Sequence, residues 1–195
     1  MKNKIKLRIA SPEDARKLRD IYAPYVKKTA ITFEYDVPTV KEFKNRIKTT
    51  LENYPYIVSL DKDEIVGYAY LGRFKARRAY DWSAETSIYV KEEFRGRGIG
   101  KILYQALEKT AQKQGIVNLF ACVTNAKIPD KHQDNVSVGF HMHMGYKKVG
   151  TLEKCGYKFG KWYNMTVFSK TIGKRRKNMP PVVPFPETDV SDILK

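Results

Sequence analysis

A chain of 195 residues with 42% hydrophobic content can bury one ordinary core, so one domain with an appendage is expected, not two domains. Its 37 Lys and Arg against 21 Asp and Glu give a formal charge of +16, which favours an anionic partner: an acidic metabolite or cofactor, nucleic acid, or a membrane face. Cys122 and Cys155 stand far apart and suggest no secreted disulfide framework. No apolar run approaches the roughly 20 residues of a membrane span, and the basic start Met1-Lys2-Asn3-Lys4 lacks the apolar core of a signal peptide. A cytoplasmic protein is expected.

Ile5, Leu7 and Ile9 alternate with Lys6 and Arg8, the pattern of a strand with one buried face. Ser11 as cap, Pro12 at the first helical position and Asp14 in the third-residue slot of a capping box announce a helix. Along it Ala15, Leu18, Ile21, Tyr22 and Tyr25 recur at helical spacing. The stretch 29–39 mixes aromatics and acids without a period until Pro38 stops any regular element; a pocket-lining loop and a plain packed connection fit it equally. Thr39 caps a second amphipathic helix carrying Val40, Phe43, Ile47 and Leu51. Residues 56–60 and 65–71 read as an antiparallel hairpin joined by the polar turn 61–64. The basic, aromatic stretch 72–82 has the interleaving of a nucleic-acid surface. Four basic residues so close repel one another unless an anion or nearby acids compensate, which favours a pocket wall for a small carboxylate or phosphinate.

Thr86-Ser87-Ile88-Tyr89-Val90 is a β-branched, aromatic strand. Arg95-Gly96-Arg97-Gly98-Ile99-Gly100 then carries the chain into a helix with Ile99, Ile102, Leu103, Ala106, Leu107 and Thr110 on one face and Gly115 at its stop. Strand, glycine loop and helix make an anion site: glycines leave backbone N–H groups uncovered, the first helical turn has no internal partners for its own, and Arg95, Arg97 and Lys101 add charge. A nucleotide-hydrolase P-loop needs Gly in place of Arg95 and Ser or Thr in place of Ile102. The dinucleotide fingerprint needs G-x-G-x-x-G, and the spacing here is G-x-G-x-G. Both fail.

Residues 118–124 are another strand, followed by a polar segment through Gln133 that reads as an insertion or surface loop. A short helix over 134–146 is closed by Gly145, and strands 148–152 and 162–168 flank a loop at 155–160. Past Gly173 the pattern is lost: Lys174-Arg175-Arg176-Lys177 and the proline-rich 179–186 read as a flexible tail, giving a domain over 1–172 and a tail over 173–195. The element order gives a mixed α/β sandwich, not an alternating doubly wound fold. His141 and His143 face different ways on a helix, and His132, Cys122 and Cys155 form no ligand spacing, so no metal is expected.

From Ile5 to Phe168 the chain resembles the phosphinothricin and methionine sulfoximine N-acetyltransferase family within the GNAT superfamily. The matching stretches are Thr32-Phe33-Glu34, Ala76-Arg77-x-Ala79-Tyr80-Asp81-Trp82, Glu85-x-Ser87-Ile88-Tyr89-Val90, Arg95-Gly96-Arg97-Gly98-Ile99-Gly100, Ser137-Val138-x-Phe140-His141 and Gly156-Tyr157-Lys158-x-Gly160-x-Trp162. The resemblance implies a GNAT-type α/β domain, its sheet mixed and mostly antiparallel and flanked by helices, with acetyl-CoA as co-substrate. It implies that Ile88, Tyr89 and Val90 offer backbone groups to the pantetheine arm, that Arg95 to Gly100 with Lys101 hold the pyrophosphate, and that Ser137 with Asn135 or Asp134 meets the cofactor. Glu85 falls where the family places its general base. The implied substrates are small α-amino acids ending in a phosphinate, sulfoximine or sulfone, with Phe33, Lys75, Arg77, Arg78 and Tyr80 as the candidates to hold them. The chain departs from the family in a longer 126–133 segment and in Met142, where many members carry Glu.

Amide formation from a thioester needs a neutral amine, yet an α-amino group with pKa near 8 is mostly protonated at neutral pH. Glu85 can take that proton directly or through one water. His141 serves as a second base, as an orienter of the amine, or as a packing residue. Tyr104, Tyr146 or Tyr163 can protonate the departing thiolate. Competing readings are a basic nucleic-acid-binding module, whose binding weakens steeply with salt, an acetyltransferase acting on a protein or polyamine, and an acyl-CoA-binding protein without catalysis. A homodimer is compatible with the sequence, which leaves open whether two chains share the site.

Overall fold

A computed structural model describes residues 5–194. The basic opening over 1–4 lies outside the described residues. Seven strands form one sheet: β1 (Lys6–Ile9), β2 (Tyr56–Asp61), β3 (Glu64–Arg73), β4 (Ser83–Val90), β5 (Asn118–Asn125), β6 (Lys147–Lys158) and β7 (Lys161–Thr171). Their order is β1-β2-β3-β4-β5-β7-β6, and every neighbouring pair is antiparallel except β4 with β5. Helices α1 (Ala15–Lys28) and α2 (Val40–Leu51) cover one face, while α3 (Ile99–Gln114) and α4 (Val136–His143) cover the other. The α/β architecture expected from the element order is present.

The helix ends form as the sequence dictates. Ser11 N–H donates to Asp14 Oδ2 at 2.8 Å, and Arg8 grips the same carboxylate with two bonds of 2.7 and 2.8 Å, tying β1 to the start of α1. At α2 the box closes both ways, Thr39 N–H to Glu42 Oε2 at 2.6 Å and Glu42 N–H to Thr39 Oγ1 at 3.2 Å. Alternation along the strands then sorts side chains by face. Ile57, Val66, Leu71, Leu119 and Phe168 meet Leu103 and Leu107 of α3, whereas Val58, Tyr56 and Tyr68 meet Leu18, Phe43 and Ile47. Leu18, Ile47, Leu103 and Leu107 are fully buried, each worth roughly 1.5–3 kcal/mol of apolar transfer.

Two elements differ from the sequence expectation. The loop expected at 155–160 is absent: β6 and β7 run on to a two-residue turn with Phe159 at φ +51° and Gly160 at φ +74°. Positive φ at both central residues gives the primed turn whose twist suits flanking antiparallel strands. The last helix is also shorter than the expected 134–146, because Asn135 at φ +60° starts it and Met144, followed by Gly145 at φ +84°, ends it. The stretch read as a tail lies against the start of β2 and the end of α3. Trp82 Nε1 donates to the Pro180 carbonyl at 2.7 Å, Gln114 Nε2 to the Val183 and Asn53 carbonyls at 2.9 Å each, and Phe185 is buried.

What positions the site is a defect in the sheet. The parallel pair β4–β5 is in register only over Ser83 to Glu85 against Asn118 to Phe120, although each strand has eight residues. Beyond Glu85 and Phe120 the two strands part.

Candidate active site

The walls of the split are residues 86–90 of β4 and 121–125 of β5, with α4 behind. Lys91 N–H donates to the Val66 carbonyl, and the β3–β4 register pairs Gly67 with Val90 and Tyr68 with Tyr89. Backbone groups of Glu85, Ser87 and Tyr89 therefore point at β3, while those of Thr86, Ile88 and Val90 point toward β5. Val90 is already engaged: Tyr25 Oη donates to its carbonyl at 2.6 Å and accepts its N–H at 3.0 Å. Of the three residues expected to offer backbone groups, Ile88 is the one that turns an N–H and a C=O into the gap.

At the mouth of the split the glycines divide their work. Gly96 and Gly98 lie at φ +73° and +84°, where a side chain is strained, and a Cβ at either meets nothing within 4 Å. Gly100 is there for packing, since a Cβ on it comes within 3.0 Å of the Phe140 ring. Gly98 caps α3 without a side chain, so the N–H groups of Ile99, Gly100 and Lys101 face outward uncapped while Ile102 N–H reaches the Gly98 carbonyl. Arg95 stacks over Tyr25 and Arg97 over Phe94, at 4.8 and 4.7 Å.

Asn135 does not face this mouth. Its side chain is taken up by the backbone of Ala126, accepting from the N–H at 3.0 Å and donating to the carbonyl at 2.9 Å, so it pins the 126–133 segment. Asp134 caps the N–H of Val136. The same segment is held by Asp130, which accepts the N–H groups of His132 and Gln133 and meets Lys161 and Tyr163. Partial burial pulls the Asp130 carboxyl up, but Lys161 and the two N–H groups prevail and bring it down to about 2.

Glu85 stands on the last rung that β4 still shares with β5, at the closed end of the split. Side-chain alternation places it with Ser87 and Tyr89 on the α1–α2 face. Opposite it on β3 is Gly72, and a Cβ there meets nothing within 4 Å, so one flank of the carboxylate is open. On the other flank Phe120 is covered by Phe74, ring centres 4.0 Å apart, and Tyr80 meets Phe74 edge-on at 5.9 Å. The Cys122 thiol is pushed up to about 11 by burial and then by Glu85, with Lys75 acting the other way. Lys75 and Tyr80 thus belong to the Glu85 side. Arg78 lines a separate cleft with Arg73, Trp82 and the 179–184 segment, and Arg77 is exposed.

Phe33 is brought in by three fastenings of the 29–35 loop onto β6. Its ring fills the place a side chain at Gly156 would take, as a Cβ there lies 2.2 Å from the ring carbons. Lys158, buried, donates to the carbonyls of Thr29 and Thr32 at 2.9 and 2.8 Å, and Tyr35 Oη donates to the Tyr157 carbonyl. Burial lowers the pKa of Lys158, with nearby Glu34 opposing. Gly156→Ala is expected to drive the Phe33 ring off the strand and cost ~1–3 kcal/mol, read as a lower denaturant midpoint at unchanged slope.

His141 is buried, and both ring nitrogens are engaged. Nδ1 donates to the Ser137 carbonyl at 2.7 Å, and Nε2 lies 2.8 Å from Tyr104 Oη. Burial lowers its pKa against the pull of the Ser137 carbonyl, so the ring is neutral and Nε2 accepts from the phenol. Tyr104 Oη also lies 3.1 Å from Thr86 Oγ1, which donates to the Phe120 carbonyl. Ser137, His141 and Tyr104 thus form one hydrogen-bonded line that ends in the split, where Thr86 Oγ1 is an alternative acceptor for the single phenol proton, a pairing of α3 with α4 that nothing in the sequence spacing announces. Of the other two tyrosines, Tyr163 is turned to Asp130 at 3.3 Å, and the buried Tyr146 hydroxyl has no hydrogen-bond partner among the described residues. Among the described residues no three His, Cys, Asp or Glu side chains gather as metal ligands would, and no helix is long and apolar enough to cross a membrane.

The His141 burial carries a pH signature. Its folded pKa lies below the ordinary 6.5, so as the pH falls through 6.5 the unfolded chain takes a proton that the folded one refuses, and stability declines. Asp130 adds a second loss lower down, between 3.8 and about 2, as its favourable ionised state is titrated away. Thermal unfolding followed from pH 8 to 4 is expected to show the first decline, and His141→Gln to remove it.

A sheet parted between its parallel strands, with a glycine and arginine turn leading into an uncapped helix start at the opening, defines an acetyltransferase fold. Residues 7–167 match the acetyltransferase (GNAT) domain, and the chain belongs to that family. It is 30% identical over 161 residues to a phosphinothricin N-acetyltransferase of Streptomyces viridochromogenes, covering 83% of this chain and 84% of that one. It is 29% identical over 126 residues to an L-methionine sulfoximine/L-methionine sulfone acetyltransferase of Pseudomonas paraeruginosa, covering 64% and 69% of the two chains. A GNAT superfamily phosphinothricin acetyltransferase from Sinorhizobium meliloti, solved in complex with AcCoA, superposes with a TM-score of 0.83 at 30% identity, over 95% of this chain and 98% of that one. The protein is an acetyl-CoA-dependent N-acetyltransferase. The open space at Gly96 and Gly98 and the free backbone groups of Ile88 suit a diphosphate and an amide-bearing arm.

Proposed function

We propose that this acetyltransferase acylates the α-amino group of a small amino acid or close analogue, of the phosphinothricin and methionine sulfoximine kind. The amine attacks the thioester directly, and Glu85 is the base. The observation that carries this reading is the place of Glu85: the closed end of the split, where the arm's reactive end arrives, with open space at Gly72 for an incoming amine.

Bond by bond, nitrogen forms the new C–N bond while one of its protons passes to Glu85. The oxygen that gains charge meets the Ile88 N–H. As the C–S bond breaks, the Tyr104 hydroxyl, which lines the split and which burial keeps protonated far above neutral pH, turns from His141 Nε2 and gives its one proton to the sulfur, and the phenolate left behind is reprotonated from solvent before the next turnover. His141 is a positioning residue in this scheme: its Nε2 orients the Tyr104 hydroxyl and it does not touch the amine.

The test is to incubate the protein with acetyl-CoA and a panel of L-amino acids, with phosphinothricin, methionine sulfoximine and methionine sulfone included, while following free thiol and product mass. Thiol release with an α-amino acid supports the reading. Reaction only with a protein or a polyamine overturns the acceptor assignment.

A homodimer belongs to the same reading. Edge strand β6 carries exposed Val149, Leu152 and Tyr157, the last paired in register with exposed Trp162 of β7, so that apolar side chains line a sheet edge that no other described strand covers. Light scattering is expected to give twice the 22.6 kDa chain mass, and a monomer at working concentration would remove this part.

A further inference from the structure

The acceptor face does not end at Glu85. Glu85, Ser87 and Tyr89 follow one another along β4 at roughly 6.6 Å steps, every second residue of the strand. At Tyr89 the row enters a second cleft of about 500 Å³ between α2 and strands β2 and β3. Its floor is built of tyrosine. Tyr56 and Tyr70 face each other across β2 and β3 and stack with ring centres 4.8 Å apart, Tyr68 stacks on Tyr56 at 5.6 Å, and Tyr22 meets Tyr89 edge-on at 4.8 Å. Asn45, Thr49 and Thr50 of α2 form the opposite rim. The two clefts adjoin, since Tyr89 lines both and Tyr70 pairs in register with Ser87 and feels the charge of Glu85.

Charge decides what such a cleft can hold. The one cation among its lining residues is Arg46, and Arg46 is already committed: its Nη1 donates to Glu34 Oε1 at 2.8 Å at the lip. A phosphinate or carboxylate entering here would have to compete with Glu34 for that guanidinium and would sit close to the Glu34 charge. A sulfone escapes that competition but sets two strongly polar oxygens against the tyrosine faces, and a neutral ring meets neither cost. It finds the partly exposed faces of Tyr70 and Tyr89 in the stacked and edge-on arrangements that aromatic pairs favour, with hydroxyls and an amide at the far rim for a polar substituent.

We propose that this tyrosine-lined cleft is the side-chain pocket of the acceptor and that it selects α-amino acids with a neutral aromatic side chain over those ending in a phosphinate or sulfone. The proposal rests on the reading that Glu85 activates an α-amine; it keeps that amine and puts a neutral aromatic side chain in place of the phosphinothricin-like one.

Steady-state kinetics of the full chain test it, with acetyl-CoA saturating and L-phenylalanine, L-tyrosine, phosphinothricin and methionine sulfone compared by thiol release. The aromatic amino acids are expected to exceed the other two at least tenfold in kcat/KM. Thr49→Trp, at an exposed helix position, narrows the cleft and is expected to lower the ratio of L-phenylalanine to methionine sulfone kcat/KM at least tenfold. Preference for phosphinothricin or the sulfone, or a Thr49→Trp variant in which that ratio is unchanged, overturns the pocket assignment and leaves the Glu85 reading standing. Absence of thiol release with every amino acid overturns the Glu85 reading itself.

Discussion

Glu85→Gln is expected to lower kcat by ~10²–10⁴-fold, the range for removing a positioned general base, with KM for acetyl-CoA near its wild-type value. The amide keeps the size of the carboxylate and its place on the last shared rung of β4 and β5, so strand pairing and the split are preserved. What it loses is the ability to accept the proton that nitrogen sheds as the C–N bond forms. The same variant has a second readout that does not depend on turnover. Cys122 is held high by burial and then by the Glu85 charge, so its thiol is expected to titrate below about 11 once that charge is gone. Full turnover in a variant whose Cys122 has shifted would remove Glu85 as the base while proving the substitution local.

Tyr104→Phe is the second large effect, a loss of ~10²-fold in kcat, at the lower end of what a general acid supplies. The ring stays seated edge-on between Phe140 and His141, with centroids at 5.1 and 5.5 Å, so packing is kept. The hydroxyl is lost, and with it the proton offered to the leaving sulfur. His141 Nε2 is left buried without a donor, at a cost of ~1–3 kcal/mol in stability. A thioester whose thiol is more acidic leaves without help, and such a donor is expected to restore much of the activity of Tyr104→Phe but little of that of Glu85→Gln. Equal rescue of both variants, or an unchanged kcat in Tyr104→Phe, would take the phenol out of the scheme.

The parts of this architecture that were legible in the sequence are those whose physics is local. Ser11 with Asp14 and Thr39 with Glu42 announce helix starts because a cap is a contact between near neighbours. The strand, glycine turn and helix over 86–114 read correctly because an apolar strand, a helical face and glycines at the turn are each short-range signals. What stayed hidden depends on register or on docking. The two-residue turn after Asp61 alone would set Tyr56 opposite Ala69. An irregularity between Ser59 and Leu60 shifts the pairing and brings Tyr56 onto Tyr70, which builds the tyrosine floor. His141 reads as a plausible base until α4 is docked on α3, and only then does it prove to be occupied by Ser137 and Tyr104. The family resemblance offered Asn135 or Asp134 as a cofactor contact, but a backbone at φ +60° turns the Asn135 amide to Ala126 instead.

The three-rung contact between β4 and β5 has a further consequence for how the molecule holds together between turnovers. A sheet normally closes its ladder from edge to edge, whereas here the ladder opens at its middle beyond Glu85 and Phe120. The halves β1 to β4 and β5 to β7 are then joined, past those rungs, chiefly through α3 and α4 and through the 29–35 loop fastened on β6 by Lys158 and Phe33. On the proposed reading the cofactor's arm serves as a temporary strand in that gap, and the protein is expected to melt at a higher temperature with the cofactor than without it.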